Sequence, residues 1–117
     1  IILAVRMHLQ QQDQNEIREL MDRRRQRRMA SQPLDKPSAG SVFRNPAQRQ
    51  AWQMIDALGY RGKQIGGVQV SEKHVNFIVN VDHGKAADFM ALVEQIQRQV
   101  KEVFDEDLIL EVEKFNW

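Results

Sequence analysis

Apolar residues recur at helical spacing in the second half of the chain, at residues 85–104. They follow the i, i+3, i+4, i+7 pattern of a helix that buries one face, so this stretch is predicted to be an amphipathic helix. Asp82 precedes it and is a candidate N-terminal cap. The apolar stripe consists of Phe89, Leu92, Val93, Ile96, Val100, Val103 and Phe104.

A second helix is predicted at residues 47–58, where Trp52, Ile55 and Leu58 lie at helical spacing. Gly59 follows these residues. It is a typical helix terminator, because glycine readily adopts the left-handed conformation of the first position beyond a helix.

Shorter apolar runs predict strands. Residues 68–70 and 75–81 are separated by a polar turn at 71–73, which indicates an antiparallel hairpin. Residues 108–112 are predicted to be the last strand, and 1–9, with β-branched residues in partial alternation, to be the first. The residues expected on one face of the longer hairpin strand are Val75, Phe77 and Val79.

Polar and proline-containing segments separate these elements. Asp13 or Asn15 can cap a helix whose apolar residues are widely spaced. Pro33 and Pro37 disfavour helix in the residues before them, so 31–46 is predicted to be an extended connector. The order strand, helix, connector, helix, hairpin, helix, strand is typical of an α+β fold, with helices packed on a small and mainly antiparallel sheet.

The composition agrees with one globular domain. The chain has 117 residues, of which 42% are hydrophobic and 28% charged, and its formal net charge is +1. It contains no cysteine, which excludes disulfides, thiol nucleophiles and thiolate metal sites and fits a cytoplasmic location. The longest apolar run, residues 1–5, is far shorter than the roughly 20 residues of a membrane-spanning helix.

Arginines are concentrated between Arg18 and Arg28, with acidic residues nearby. Such a run is ordinarily a solvated helix face, but it could also bind nucleic acid, another protein or a substrate diphosphate. No aromatic residues interleave with it for base stacking. A small α+β module that binds RNA or protein through this helix is therefore one functional hypothesis.

Other residues with chemical potential give weaker signals. His8, His74 and His83 lack metal-ligand spacing and no carboxylate cluster supports them, so no metal site is predicted. Gly66 and Gly67 lack the fuller glycine pattern of a phosphate-binding loop and are predicted to form the tight start of a strand.

Three segments carry a more specific signal. They are 32–46, which contains Pro-Ser-Ala-Gly-Ser-Val-Phe-Arg-Asn-Pro, then 65–80, then 108–112. In this order they resemble the C-terminal substrate-binding domain of bacterial UDP-N-acetylenolpyruvoylglucosamine reductases, the flavoenzymes of peptidoglycan precursor synthesis. The resemblance covers about residues 32–112.

The resemblance implies a two-step reaction. Hydride passes from NADPH, through a bound FAD, to the enolpyruvyl group of UDP-N-acetylglucosamine enolpyruvate. The carbanion or enolate that results must be protonated to give UDP-N-acetylmuramate. This chemistry requires a proton donor near the substrate carbon, and electrophiles that hold the developing negative charge.

The family motif also implies roles for particular residues. Ser41 corresponds to its proton donor, and Glu111 to the glutamate that helps to polarise the enolpyruvyl group. Gly40 permits close approach to the flavin and is the implied cofactor contact. Asn45 matches a substrate-contacting asparagine, and Arg44 a basic residue that suits a diphosphate or carboxylate.

Two of the departures from the family pattern concern a substrate lysine and the last strand. A lysine that the family commonly uses for substrate aligns at or near Ser31, and Arg28 is expected to replace it. Leu110 stands where the last strand often has proline, which should not alter the chemistry.

The resemblance finally divides the chain. Residues 1–10 would be the final strand of a missing FAD-binding domain, 11–31 a connecting helix, and 32–117 the C-terminal substrate-binding domain. FAD would be bound mainly by the missing domain, so the isolated chain is predicted to be inactive. The whole enzyme would be a cytoplasmic NADPH-dependent oxidoreductase.

Overall fold

A computed structural model describes residues 2–115, and its contacts group the chain into two units, one ending at Ala30 and the other beginning at Ser31. Residues 2–13 have no regular secondary structure, and helix α1 spans Gln14–Ser31, so that all but its last residue belong to the first unit. The Asp13 carboxylate accepts hydrogen bonds from the backbone N–H groups of Asn15, at 2.9 Å, and Glu16, at 3.1 Å. The predicted helix is therefore confirmed, with Asp13 as its cap.

The strand predicted at residues 1–9 is wrong in its described part, since residues 2–9 form no strand. A strand requires a partner for its backbone groups, and the described residues provide none for this segment. Ile1 lies outside the described residues. The apolar side chains exposed here are Ile2, Leu3, Val5, Met7 and Leu9.

The second unit contains a four-stranded sheet in the order β1-β4-β3-β2, and every neighbouring pair is antiparallel. This confirms the predicted α+β class. Its elements are β1 (Ser38–Ser41), α2 (Ala51–Ala57), β2 (Gln64–Ile65), β3 (Val68–Val70), β4 (Phe77–Asn80) and α3 (Ala86–Phe104).

The predicted hairpin is confirmed as β3 and β4, which pair with Val70 opposite Ile78. The longer strand is shorter than expected and differs in burial. Three consecutive residues of β4, Phe77, Ile78 and Val79, are all buried, instead of one face alone. Neighbouring strands flank β4 on both sides, and of these three residues only Ile78 belongs to the hydrophobic core cluster.

The two glycines predicted to start a strand are instead the turn of a second hairpin, between β2 and β3. Gly66 has φ +52°, as two-residue hairpin turns require. A Cβ placed on Gly67 would clash with the Asp82 carbonyl oxygen and the Gly84 nitrogen. The turn therefore packs directly against the backbone that leads into α3.

Helix α2 is shorter than predicted, and its buried face is rotated. Ala51, Met54 and Ile55 are buried, whereas Trp52 is 39% exposed. Adjacent helical positions differ by about 100°, so a face centred on Ala51 turns Trp52 outward. Gly59 has φ +72° and follows the C-cap residue, as predicted.

Helix α3 is confirmed, but two details of its prediction are wrong. Its N-cap is Lys85, whose backbone N–H donates to the Asp88 carboxylate at 2.9 Å, so Asp82 is not the cap. Val103 is exposed although it is in line with the buried stripe, because it lies in the last turn of α3, beyond Val100. The residues of α3 that are buried are Leu92, Val93, Ile96 and Val100.

None of the helices in the described part of the chain is long and apolar enough to cross a membrane.

Candidate functional site

Strand β1 is irregular where the predicted proton donor lies. Ser38 is opposite Val79 and Ser41 is opposite Phe77, so β1 uses one more residue than β4 over the same length. Gly40 has φ +85°, a conformation that bulges exploit and that favours glycine. The bulge thus places half-buried Ser41 at the end of β1.

The backbone changes partner directly after Ser41. The N–H of Val42 donates to the carbonyl of Asn76 at 2.8 Å, on the β4 side. The carbonyl of Val42 accepts from the N–H of Glu111 at 2.9 Å, on the other side. Glu111 is therefore hydrogen-bonded to the residue that follows Ser41, so the two predicted catalytic residues lie on adjacent, hydrogen-bonded segments.

The last strand, predicted at residues 108–112, is present only as an isolated antiparallel bridge between Leu110 and Phe43. The N–H of Arg44 donates to the carbonyl of Ile109 at 2.9 Å. This pairing places Arg44 and Glu111, both exposed, at opposite ends of one short pair of segments. The predicted strand is therefore too long, but its place in the chain is correct, since Leu110 lies within residues 108–112.

Asn76 is the site residue that the sequence analysis missed. Its side chain is only 5% exposed, its Oδ1 accepts from the N–H of Phe43 at 3.0 Å, and its Nδ2 donates to the carbonyl of Phe43 at 2.9 Å. The sequence did contain a signal, since Asn76 lies between two apolar residues of a predicted strand, Val75 and Phe77. An amide buried in such a strand requires hydrogen-bond partners.

Asn45 has a structural contact that the sequence did not reveal. Its Oδ1 accepts from the N–H of Ala51 at 3.0 Å, which satisfies a free N–H in the first turn of α2. Asn45 also lines a cavity of about 150 Å³, together with Arg49, Gln50 and Gln53. The predicted substrate contact would therefore fall to the amide nitrogen of Asn45, while its oxygen holds the helix.

His74 orients the turn that precedes β4. Its Nδ1 accepts from the N–H of Asn76 at 3.3 Å, and its ring meets that of Phe77 edge-on with centroids 5.0 Å apart. Burial lowers the pKa of His74 below the usual value of 6.5, and the nearby Arg61 charge lowers it further. The neutral imidazole can therefore accept the hydrogen bond from the backbone N–H of Asn76.

The remaining predicted site residues, Gly40 and Arg28, lie in different parts of the structure. A Cβ at Gly40 would have no heavy atom within 4 Å, so the backbone here is open to a flat ligand and fits the implied flavin contact. Arg28 lies in the last turn of α1, in the first unit, and its substrate contact stays a prediction. In residues 2–115 no group of three or more His, Asp or Glu side chains is placed to hold a metal ion.

Residues 32–115 match the profile of the UDP-N-acetylenolpyruvoylglucosamine reductase C-terminal domain. The chain belongs to this family. A UDP-N-acetylenolpyruvoylglucosamine reductase from Limosilactobacillus reuteri is 45% identical over 112 residues, which cover 96% of this chain and 38% of that protein. One from Bacillus licheniformis is 42% identical over 113 residues, which cover 97% of this chain and 61% of that protein.

A solved structure supports the same assignment. The crystal structure of the Thermus caldophilus reductase matches 92% of this chain with a TM-score of 0.79 and 33% sequence identity. The match covers 38% of that chain. The fold and family predictions are thus confirmed, and this chain spans between 38% and 61% of the length of these relatives.

Proposed function

We propose that this chain is the C-terminal part of a UDP-N-acetylmuramate dehydrogenase, which reduces UDP-N-acetylglucosamine enolpyruvate with NADPH in peptidoglycan precursor synthesis. The observation that carries the proposal is the 2.9 Å hydrogen bond from the N–H of Glu111 to the carbonyl of Val42, which supports a shared role for Ser41 and Glu111 because Val42 directly follows Ser41. Membership of the reductase family supports it.

Ser41 is the proposed proton donor. Hydride and proton add across the enolpyruvyl double bond, and FAD, when bound, would supply the hydride. The Ser41 hydroxyl gives its proton to the neighbouring carbon of the substrate. Because Ser41 is half-buried, water can return a proton to it after each turnover.

Polar groups around Ser41 would hold the substrate. Glu111 is proposed to help polarise the enolpyruvyl group. Arg44 is exposed and carries a guanidinium that suits the substrate carboxylate or diphosphate, with Arg28 as a further candidate. The amide nitrogen of Asn45 is the proposed hydrogen-bond donor, and Gly40 is the proposed contact with the flavin.

The isolated chain is expected to be inactive, because the FAD site would lie mainly in a region that its longer relatives have and residues 1–117 do not include. We place the whole enzyme in the cytoplasm. The alternative, an RNA- or protein-binding module that uses the arginines of α1, has no support among the named relatives, which are reductases.

The proposal is tested by Ser41→Ala in the intact protein that contains this chain. Flavin absorbance is followed by stopped-flow spectroscopy, first with NADPH and then with the enolpyruvyl substrate. Bleaching by NADPH should stay nearly normal, whereas recovery on adding substrate should slow by about 10²–10⁴-fold, because a proton donor is lost. Ser38→Ala, at the other end of β1, is the matched control and should behave as the unmodified protein.

Two outcomes would contradict the proposal. An intact protein that neither contains flavin nor can be reconstituted with it would not be this enzyme. If Ser41→Ala keeps the thermal stability of the unmodified protein and slows both half-reactions equally, or neither, Ser41 is not the donor.

A further inference from the structure

Asn76 binds the strand that carries Ser41 through both its backbone and its side chain. Its carbonyl accepts from the N–H of Val42 at 2.8 Å, and its side-chain amide bonds both the N–H and the carbonyl of Phe43, at 3.0 and 2.9 Å. Its own N–H donates to Nδ1 of His74 at 3.3 Å. One buried residue thus holds two consecutive backbone N–H groups directly after Ser41.

This arrangement connects Ser41 to Glu111. Val42 is bound to Asn76 through its N–H and to Glu111 through its carbonyl, at 2.8 and 2.9 Å. Consecutive N–H groups of a regular strand point to opposite sides. Here the carbonyl and amide oxygens of Asn76 accept from both, which is possible because the backbone is irregular after the Gly40 bulge.

We propose that Asn76 is a positioning residue that sets the placement of Ser41 relative to Glu111. The inference rests on the proposed function, since the pair has a catalytic role only in that reaction. Asn76 touches neither substrate nor flavin in this account, and it acts through the backbone of Val42 and Phe43. A displacement of about 1 Å between reacting groups can cost about 10²-fold in rate, so a backbone clamp of this kind can control activity.

The chain offers a matched comparison in Asn80. Its Oδ1 accepts from the N–H of Gly84 at 2.9 Å, and its Nδ2 faces the carbonyl of Gly84 at 3.4 Å. Both asparagines therefore clamp the N–H and carbonyl of one residue, but Asn80 does so in the turn that leads into α3. A purely structural role of Asn76 would leave the ratio of the two half-reaction rates unchanged in both variants.

The first test follows amide hydrogen exchange in the 117-residue chain and needs no activity. Asn76→Ala should accelerate exchange at Val42, Phe43 and Glu111, because the clamp and the bond that depends on it are loosened. Asn80→Ala should accelerate exchange at Gly84 and leave those three amides unchanged. Protection of Glu111 that is equal in both variants would overturn the proposed link between Asn76 and Glu111.

The second test measures the two half-reactions in the intact protein. Asn76→Ala should leave flavin reduction by NADPH near normal and slow recovery with the enolpyruvyl substrate by about 10- to 100-fold. Asn80→Ala should leave the ratio of the two rates unchanged. If both variants change that ratio equally, Asn76 has no positioning role.

Asn76→Asp provides a variant that keeps the shape of the side chain. An ionised carboxylate still accepts from the N–H of Phe43 but cannot donate to its carbonyl, whereas a protonated carboxyl restores both bonds. Recovery with substrate, taken as a ratio to the unmodified protein, should therefore improve as the pH falls. A ratio that does not change with pH would contradict the clamp.

The outcomes separate this inference from the function on which it rests. Failure of the unmodified protein to recover with the enolpyruvyl substrate would contradict the proposed function itself. Normal recovery that Ser41→Ala slows but Asn76→Ala does not would overturn the role of Asn76 alone. Loss of flavin from both Asn76 variants at every pH, while Asn80→Ala retains it, would assign Asn76 to folding and also overturn the inference.

Discussion

The central strand β4 is held differently on its two sides. On the hairpin side, β3 pairs with it in regular register through three consecutive residues, Val68–Val70. On the site side, the register of β1 shifts by one residue, and the backbone after Ser41 is held by the side chain of Asn76. The hairpin side depends on a backbone repeat that many sequences can form, whereas the site side depends on one particular amide.

The largest effect is expected from Phe43→Ala on the site side. The Phe43 ring is 1% exposed, so its removal should lower the free energy of unfolding by about 3–5 kcal/mol. Ile109→Ala, in the facing segment, removes a side chain that is 63% exposed and should change it by less than about 0.5 kcal/mol. Urea unfolding of the 117-residue chain measures both, and equal losses would show that the buried ring does not anchor this side.

A smaller effect is expected from Gly67→Ala on the hairpin side. The new methyl would meet the backbone of Asp82 and Gly84, so the free energy of unfolding should fall by about 1–3 kcal/mol, towards the upper value because backbone atoms cannot easily move. Gly59→Ala is the control. It adds left-handed strain of about 1 kcal/mol but meets no atom within 4 Å, and a loss as large as that of Gly67→Ala would argue against the tight contact.

The smallest effects are expected from changes in pH. The pH at which the free energy of unfolding declines should differ between the two sides of β4. Burial lowers the pKa of His74 on the site side below 6.5, so the unfolded chain binds more protons than the folded one. The stability from neutral His74 is complete above pH 6.5 and is lost as the pH falls through the folded-state value. Thermal unfolding from pH 7.5 downward should show this decline, and His74→Gln should remove it.

On the hairpin side the decline should begin only in stronger acid. The N–H groups of Lys85 and Gly67 donate to the Asp88 carboxylate and hold its pKa below the usual value of 3.8. Its contribution is present above pH 3.8 and is lost as the pH falls through the lower folded-state value. Asp88→Asn should flatten this second decline, and a single decline abolished by either variant would contradict the separation.

Pattern alone predicted the regular parts of the fold. The α3 stripe and the hairpin of β3 and β4 were predictable, because burial of one helix face and of paired strands leaves a direct trace in the order of apolar residues. Strand β1 lies in the segment predicted to be an extended connector, because Ser-Ala-Gly-Ser has no apolar alternation. It is a strand through its pairing with β4, which the local sequence does not reveal. Strand β2 has two residues and is too short to leave a pattern.

The candidate site was predictable only in part, and for a related reason. The implied roles of Gly40, Ser41, Arg44, Asn45 and Glu111 came from the family resemblance, which rests on the order of residues and not on a geometry. The role of Asn76 depends on Phe43, 33 positions away, and no local pattern encodes a contact of that range. The prediction for Trp52 failed for a different reason. Its helical spacing was correct, but spacing alone did not determine which side of α2 faces the core.

The outer strands of the sheet are short, and this limits the association of two copies of this chain through their sheet edges. Unpaired N–H and C=O groups along the edge of a sheet are a template on which another chain can extend it. Here β2 offers two residues and β1 four, with a bulge among them, and the backbone beyond β1 is already bound to the segment around Leu110. The bulge that presents Ser41 thus also protects the fold against edge-to-edge aggregation.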